Sequence, residues 1–430
     1  MSAPLAVSYR ERPLWHDGVV PDGTAVPEPA PLPAAADVVV IGAGYCGATA
    51  AAGLARRGRR VVVLEAGDEG SGASTRNGGM VIPELKHGPV ALARRHGDTG
   101  RAMVRETLAA YEFVRDLVVH EGIACDWREC GGLLLAHHPH QVPALRRAAG
   151  EWVEAGQPVR VLAAADLRSE IGSDAFVAGL LMERTAAVQP AKLHAALLAR
   201  ACAAGAEVRH RTRATRLERR GQGFLVETAR GAIAAGDVLV AANAYVDGVL
   251  PALEQRVLPV GSFVIATEPL PPERARSVMP GDRMCFDTKH LLNYWRLSPD
   301  QRMVFGGRAS LSATTVAGAR DVLYAEMVRV HPQLRGSTVT HAWGGRVAVT
   351  RDRLPHAGRL DGVAYATGCN GTGIALASWL GERAAAWMTG EEPPPAFSVP
   401  SFPTIPLRAW RRFWLPPAGR VLQVADRLGR

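Results

Sequence analysis

The sharpest change of hydrophobic pattern lies near the N-terminus. In DVVVIGAG, residues 37–44, four apolar residues run unbroken into a glycine-rich turn. Such a run, bounded by glycine, predicts a strand buried on both faces, as in a parallel sheet. The next segment, CGATAAAGLARRG, has helical composition and stops at Gly58, a residue that ends helices readily. RRVVVLEAG then reads as a second buried strand. Strand, helix and strand together make one βαβ unit of about 30 residues.

Elsewhere the pattern is less regular. Residues 18–36, GVVPDGTAVPEPAPLPAAA, predict an extended arm leading into the fold. From 89 to 184 longer amphipathic helices such as RAMVRETLAAYEFVRDLVVHEG alternate with short strands such as GGLLLAHH. A helical AKLHAALLARACAAG precedes alternating strand patterns in AEVRHRTRATRLERR and GFLVETARGAIAAGDVLVAANAY. Residues 257–312 read as several strands, followed by a helix around 317–331. The segment from HAWGG to WMTG then reads as strand, loop, strand, glycine turn and helix. No fixed-period repeat is visible.

Composition narrows the function classes. The chain has 430 residues, enough for two domains, with 47% apolar and 21% charged side chains. Its net charge of +9 is spread among scattered arginines rather than gathered in a block, which argues against a nucleic-acid arm. An acidic partner is the alternative use of that charge. The six cysteines form no CxxC pair, so free thiols in a reducing cytoplasm are expected. No signal-peptide pattern and no membrane-spanning run of about 20 apolar residues is seen. The C-terminal RAWRRFWLPPAGRVLQVADRL is expected to pack back onto the fold, with contact to a membrane surface as the alternative.

The glycine turn carries the first chemistry. Gly42, Gly44 and Gly47 spell G-x-G-x-x-G between a strand and a helix. The first glycine allows the tight turn, the second lets the backbone approach a pyrophosphate, and the third brings helix and strand together. Glu65 ends the second strand, where an acid hydrogen-bonds a ribose hydroxyl. A polar, glycine-rich loop follows, in which Ala73, Ser74, Arg76, Asn77, Gly78 and Gly79 could line a long extended cofactor.

VVVIGAGYCGATAA, VVVLEAG, GASTRNGGMV, VGSFVIATEPL, VFGGR, GCNGTGIALASWLG and FPTIPLRAWRRFWLP occur in order along nearly the whole chain. In these motifs the chain resembles the D-amino-acid oxidase/glycine oxidase superfamily of FAD-dependent amine oxidoreductases, above all its γ-glutamylputrescine oxidase-like branch. The resemblance implies an α/β fold: a Rossmann-type FAD-binding domain of glutathione-reductase type, interleaved with a mainly antiparallel-sheet (α+β) substrate domain. It implies a 1–35 arm, an FAD-binding domain from 36–84, 185–256 and 335–392, a substrate domain from 85–184 and 257–334, and a 393–430 tail. It also implies that the late turn, Gly368 with Asn370, Gly371, Thr372, Gly373 and Ile374, meets the flavin ring. Ala66, Met80 and Gly344 join the cofactor contacts, and Thr215 with Arg213 and Ala214 lies near the adenine. Two features depart from sarcosine-oxidase-like relatives. No lysine follows the late turn, where Ala375 stands, and HAWGGRVAVTRD has no cysteine to attach the flavin. FAD is therefore expected to be bound without a covalent link, with Cys46 and Cys369 as buried fillers.

Oxidising an amine at a flavin needs little acid-base machinery, and the sequence shows no G-x-S-x-G elbow and no histidine pair at metal-ligand spacing. Substrate-face candidates come from TKHLLNYWRLS, where alternation places His290, Leu292, Tyr294 and Arg296 on one face, with Lys289 beside them as a cation for oxygen activation. Arg308, Arg346 and Asp352 are further candidates, and Trp343 is singled out by the two glycines after it. The expected partners are a small amine or amino acid and molecular oxygen or another acceptor. The alternatives are a dehydrogenase serving a quinone or carrier protein, and a non-catalytic flavin-binding assembly protein.

Overall fold

A computed structural model describes residues 1–19, 31–307, 311, 314–399 and 401–429. Arg308, and most of the proline-rich segment expected as an arm, lie outside the described residues. The first βαβ unit forms as its pattern dictates: strand Ala35–Ile41, helix Tyr45–Arg56 and strand Val61–Leu64, the two strands parallel with Val38 opposite Val61 and Ile41 opposite Leu64. Both strands are buried almost throughout, as an unbroken apolar run requires when helices cover a parallel sheet.

These strands belong to an eight-stranded sheet in the order 207–209, 61–64, 35–41, 231–240, 223–228 and 214–220. The hairpin of His356–Leu360 and Val363–Thr367 joins it through strand Gly231–Val240. A second, nine-stranded sheet runs in the order 5–10, 339–350, 257–269, 302–307, 293–297, 284–287, 132–136, 178–182 and 159–163. It is antiparallel except where 5–10 meets 339–350 and 284–287 meets 132–136. Its longest ladder joins 257–269 to 339–350, from Val257 opposite Thr350 to Ala266 opposite His341. Met80–Val81, Ala186–Ala187 and Arg128–Glu129 form a third, small sheet.

The structure redraws two parts of the expected division. Strand Val339–Thr350 was expected with the FAD-binding residues, but it pairs within the nine-stranded sheet. Residues 1–16 are not an arm: Leu5–Arg10 pairs along Val339–Thr350, and Trp15, a large apolar side chain, is buried against Trp343. The C-terminal tail ends in a helix, Arg411–Leu428.

Helix Tyr45–Arg56 packs directly on helix Gly373–Met388, and small residues make this possible. A Cβ on Gly381 would run into the Cys46 carbonyl, and one on Gly53 would stand 2.7 Å from Ala385 Cβ. Segments more than 300 residues apart in sequence are thereby held in backbone contact.

Candidate active site

Parallel strands 35–41, 231–240 and 363–367 end together, with Ile41 opposite Val240 and Val240 opposite Tyr365. Each is followed by a turn at the same edge of the sheet, where ligands bind in open α/β folds. In the first turn Gly42 adopts φ +106°, and a Cβ there would lie 3.0 Å from the Ala241 carbonyl oxygen. A Cβ on Gly47 would collide with the Gly42 carbonyl, and one on Gly44 would stand 2.8 Å from Ser74 Oγ. That Oγ accepts from the Tyr45 N–H at 3.0 Å. The late turn is shaped by its own amide: Asn370 Nδ2 donates to Gly368 O at 2.6 Å, and its Oδ1 accepts from Thr350 N at 3.2 Å. Asn243, from the turn between them, accepts from Gly368 N through Oδ1 at 3.0 Å.

The helices leaving the first and late turns begin without a side-chain cap from Gly44 or Thr372. Both N-termini open on one elongated cavity of about 340 Å³, lined by Gly42, Gly44, Tyr45 and Cys46 from one and Cys369 through Ile374 from the other. The partial positive charge of two helix ends favours anionic oxygens there. Glu65 and Ala66 line the cavity beside the first turn. The Glu65 carboxylate is held by the N–H groups of Ala43 at 3.1 Å and Gly67 at 3.0 Å. Each oxygen keeps a lone pair for a ribose hydroxyl. Arg213 and Ala214 line the cavity as well, whereas Thr215 points outward and donates to Glu227 O at 3.1 Å.

The loop over the cavity is held by its carbonyls. Arg76 O accepts from Trp343 Nε1 at 2.9 Å, and Asn77 O from Trp15 Nε1 at 2.8 Å. Gly78 O accepts from Arg296 Nε at 2.8 Å, and Gly79 O from Val188 N at 2.9 Å. The side chains help too: Asn77 Nδ2 donates to Ser74 O at 2.8 Å, and Arg76 donates to Ser71 O and Gly344 O, both at 2.9 Å. Ala73, Ser74, Arg76, Asn77, Gly78 and Met80 line the cavity; Gly47, Gly79 and Gly344 stand behind that lining.

The four catalytic candidates separate. Tyr294 lines the cavity with Ser262, Phe286 and Leu292, its hydroxyl 3.2 Å from Ser262 Oγ. Its ring lies so close to Gly78 that a Cβ there would be 2.7 Å from Cε2. Arg296 is buried outside the lining; it spans Gly78 O and Val188 O and lies 4.9 Å over the Trp15 ring. Burial pulls its pKa down to about 10, so it remains charged at neutral pH. Trp343 is likewise buried and faces the loop backbone. Lys289 is off the lining, with Nζ 2.7 Å from the Glu326 carboxylate. The strand begins only at Asn293, so the expected alternation does not extend back to Lys289 and His290. Arg346 lines the cavity 3.5 Å from Asp247, while Asp352 pairs with His356 away from it. Glu84, Lys86, Asn243 and Ser262 also line the cavity. Ser262 lies in the VGSFVIATEPL motif, whereas Glu84, Lys86 and Asn243 sit in segments without one, and only tertiary packing brings them there.

An adenine dinucleotide with a flavin ring fits this site. Its cradle is one that side chains at Gly42, Gly44 or Gly47 would fill, and the acid and the two helix ends stand in the order such a molecule needs. Burial pushes the Cys46 thiol up to about 12 and raises Cys369, so neither offers a thiolate for a covalent bond at neutral pH. Among the described residues no cluster of His, Cys, Asp or Glu could hold a metal ion.

A family model described as FAD dependent oxidoreductase matches residues 37–387. Gamma-glutamylputrescine oxidoreductase of Escherichia coli (strain K12) is 31% identical over 399 residues, covering 91% of this chain and 93% of the relative. Glycine oxidase of Geobacillus kaustophilus is 26% identical over 343 residues, covering 75% of this chain and 84% of the relative. A crystal structure of glycine oxidase from Geobacillus kaustophilus superposes with a TM-score of 0.73 at 22% identity, over 87% of this chain and 99% of that one. L-proline dehydrogenase from P. horikoshii follows with a TM-score of 0.72 at 22% identity, over 85% and 96%.

Proposed function

The chain belongs to the DAO family, FAD-dependent oxidoreductases of the amine and amino-acid oxidase type, and on that premise we propose that it oxidises an amine bearing a zwitterionic amino-acid head, with molecular oxygen as acceptor. The observation that carries the substrate class is the pair Glu84 and Lys86. Both line the cavity, and among the described residues neither side chain has an ion-pair or hydrogen-bond partner. A carboxylate and an ammonium left in a cavity complement the α-ammonium and carboxylate of such a head. A γ-glutamyl amine has this form, in keeping with the name of the Escherichia coli relative. Oxygen as acceptor is supported by the glycine oxidase likeness.

Gly42, Gly44, Glu65, Arg76, Asn77 and the 369–374 turn would hold the cofactor. FAD, when bound, supplies a hydride acceptor at its ring. Tyr294 and Ser262 present hydroxyls that can orient the substrate nitrogen, and Phe286 and Leu292 keep the reacting carbon in apolar surroundings. Loss of hydride from the carbon beside nitrogen, and of a proton from nitrogen, leaves an imine. Water then cleaves it to a carbonyl compound and an amine. The two electrons and two protons released convert oxygen to hydrogen peroxide.

The test is the visible spectrum of the purified protein, mixed without oxygen with γ-glutamylputrescine, free putrescine, N-methyl amino acids and D-amino acids. Bleaching of the oxidised-flavin band by the γ-glutamyl amine, and its return with peroxide on admitting air, is the expected result. Bleaching by free putrescine alone would remove the zwitterionic head from the proposal. Bleaching that only an added quinone or carrier protein reverses would replace oxygen as acceptor.

A further inference from the structure

The C-terminal helix Arg411–Leu428 has apolar side chains on two faces. Its inner face packs Trp414 and Leu415 against Leu258, Val260 and Val349, and Gly419 is buried against Leu311. Asp426, the helix's one carboxylate, is turned inward, accepting the backbone N–H of His290 at 2.7 Å and of Leu291 at 3.0 Å. The outer face carries Phe413, Val421, Val424 and Leu428, with Trp410 just ahead, each between 53% and 67% exposed. Their spacing keeps them in one stripe along the helix. Arg412, Arg420 and Arg427 are exposed beside it. The outward charge of the helix is therefore entirely positive.

We propose that this helix lies in the plane of an anionic lipid surface, its apolar stripe sunk into the acyl boundary and its arginines on lipid phosphates. Charge decides the occupant. A second copy packed on the same stripe would set guanidinium groups against guanidinium groups, on chains of net charge +9 each. Anionic lipid complements both the stripe and its rim. The helix lies on the surface rather than crossing it: it holds Pro416, Pro417 and several arginines, and no helix among the described residues is long and apolar enough to span a bilayer.

Vesicle flotation of the full-length holoenzyme tests this. Vesicles of equal parts phosphatidylcholine and phosphatidylglycerol should carry the protein, those of phosphatidylcholine alone much less, and high salt should release it. Replacing three arginines together (Arg412→Gln, Arg420→Gln, Arg427→Gln) should weaken partitioning on the order of 100-fold. Phe413→Ser with Val421→Ser should abolish it while flavin absorbance is kept. If that apolar variant loses its flavin, the arginine variant and the salt titration still decide. Absence of wild-type flotation on phosphatidylglycerol vesicles would overturn the proposal. So would equal flotation of the arginine variant, or a dimer that the serine substitutions dissolve.

Discussion

At the residue scale, the carbonyls of Arg76, Asn77 and Gly78 show how indole and guanidinium groups support a site without entering it. Trp343 was legible through the paired glycines after it, and Arg296 as a substrate-face candidate placed by alternation. Their direction was not legible, because each donates to a backbone oxygen of the loop more than 200 residues away. Of the strand residues that alternation placed on one face, Tyr294 lines the cavity and Arg296 does not, since Asn293–Leu297 is buried at every position but Tyr294. Arg296→Met should leave Gly78 O and Val188 O without their buried donor and cost about 3 kcal/mol. Thermal unfolding and flavin release by ultrafiltration would read both effects, and a variant with unchanged midpoint and full flavin would refute this role. Gly44→Val should drive side-chain atoms toward Ser74 Oγ and yield protein without FAD, which the absorbance ratio of flavin to protein reports directly.

At the element scale, the first βαβ unit was legible because every determinant is local: an apolar run, a glycine turn, a helical stretch and a terminal acid within 29 residues, from Asp37 to Glu65. Strand Val339–Thr350 was legible as a strand but not as a member of the larger sheet, since its partners, Leu5–Arg10 and Val257–Pro269, lie at distant positions. The pairing of helices 45–56 and 373–388 rests on glycines that a sequence pattern reads only as weak points in a helix. Gly381→Val should push these helices apart at Cys46 and displace the late turn from the first. FAD affinity is expected to fall at least tenfold by titration of the apoprotein. A merely local loss of stability would lower the melting temperature and leave that affinity unchanged.

At the scale of the whole molecule, buried histidine sets part of the acid limit. His331 is buried against Trp295 with neither ring nitrogen hydrogen-bonded, and burial holds its pKa down to about 3, against 6.5 for the free side chain. Below pH 6.5 the unfolded chain takes up a proton that the native site refuses. The stability present above that pH is therefore lost as pH falls toward 3, by up to about 1.4 kcal/mol per pH unit. His331→Leu should flatten this decline, so that its melting temperature falls less than that of the parent between pH 7 and pH 5. An equal fall in both proteins would assign acid sensitivity to other groups.

The three turns that meet at the sheet edge also impose an order of events during synthesis. They come from residues 42–44, 241–243 and 368–372, so a ribosome must deliver nearly the whole chain before the edge is complete. A nascent chain stopped halfway holds one turn and its acid, but neither the opposing helix nor the far wall. Cofactor loading is therefore a late event, and the unfinished chain must wait for its last quarter with apolar strand surface uncovered.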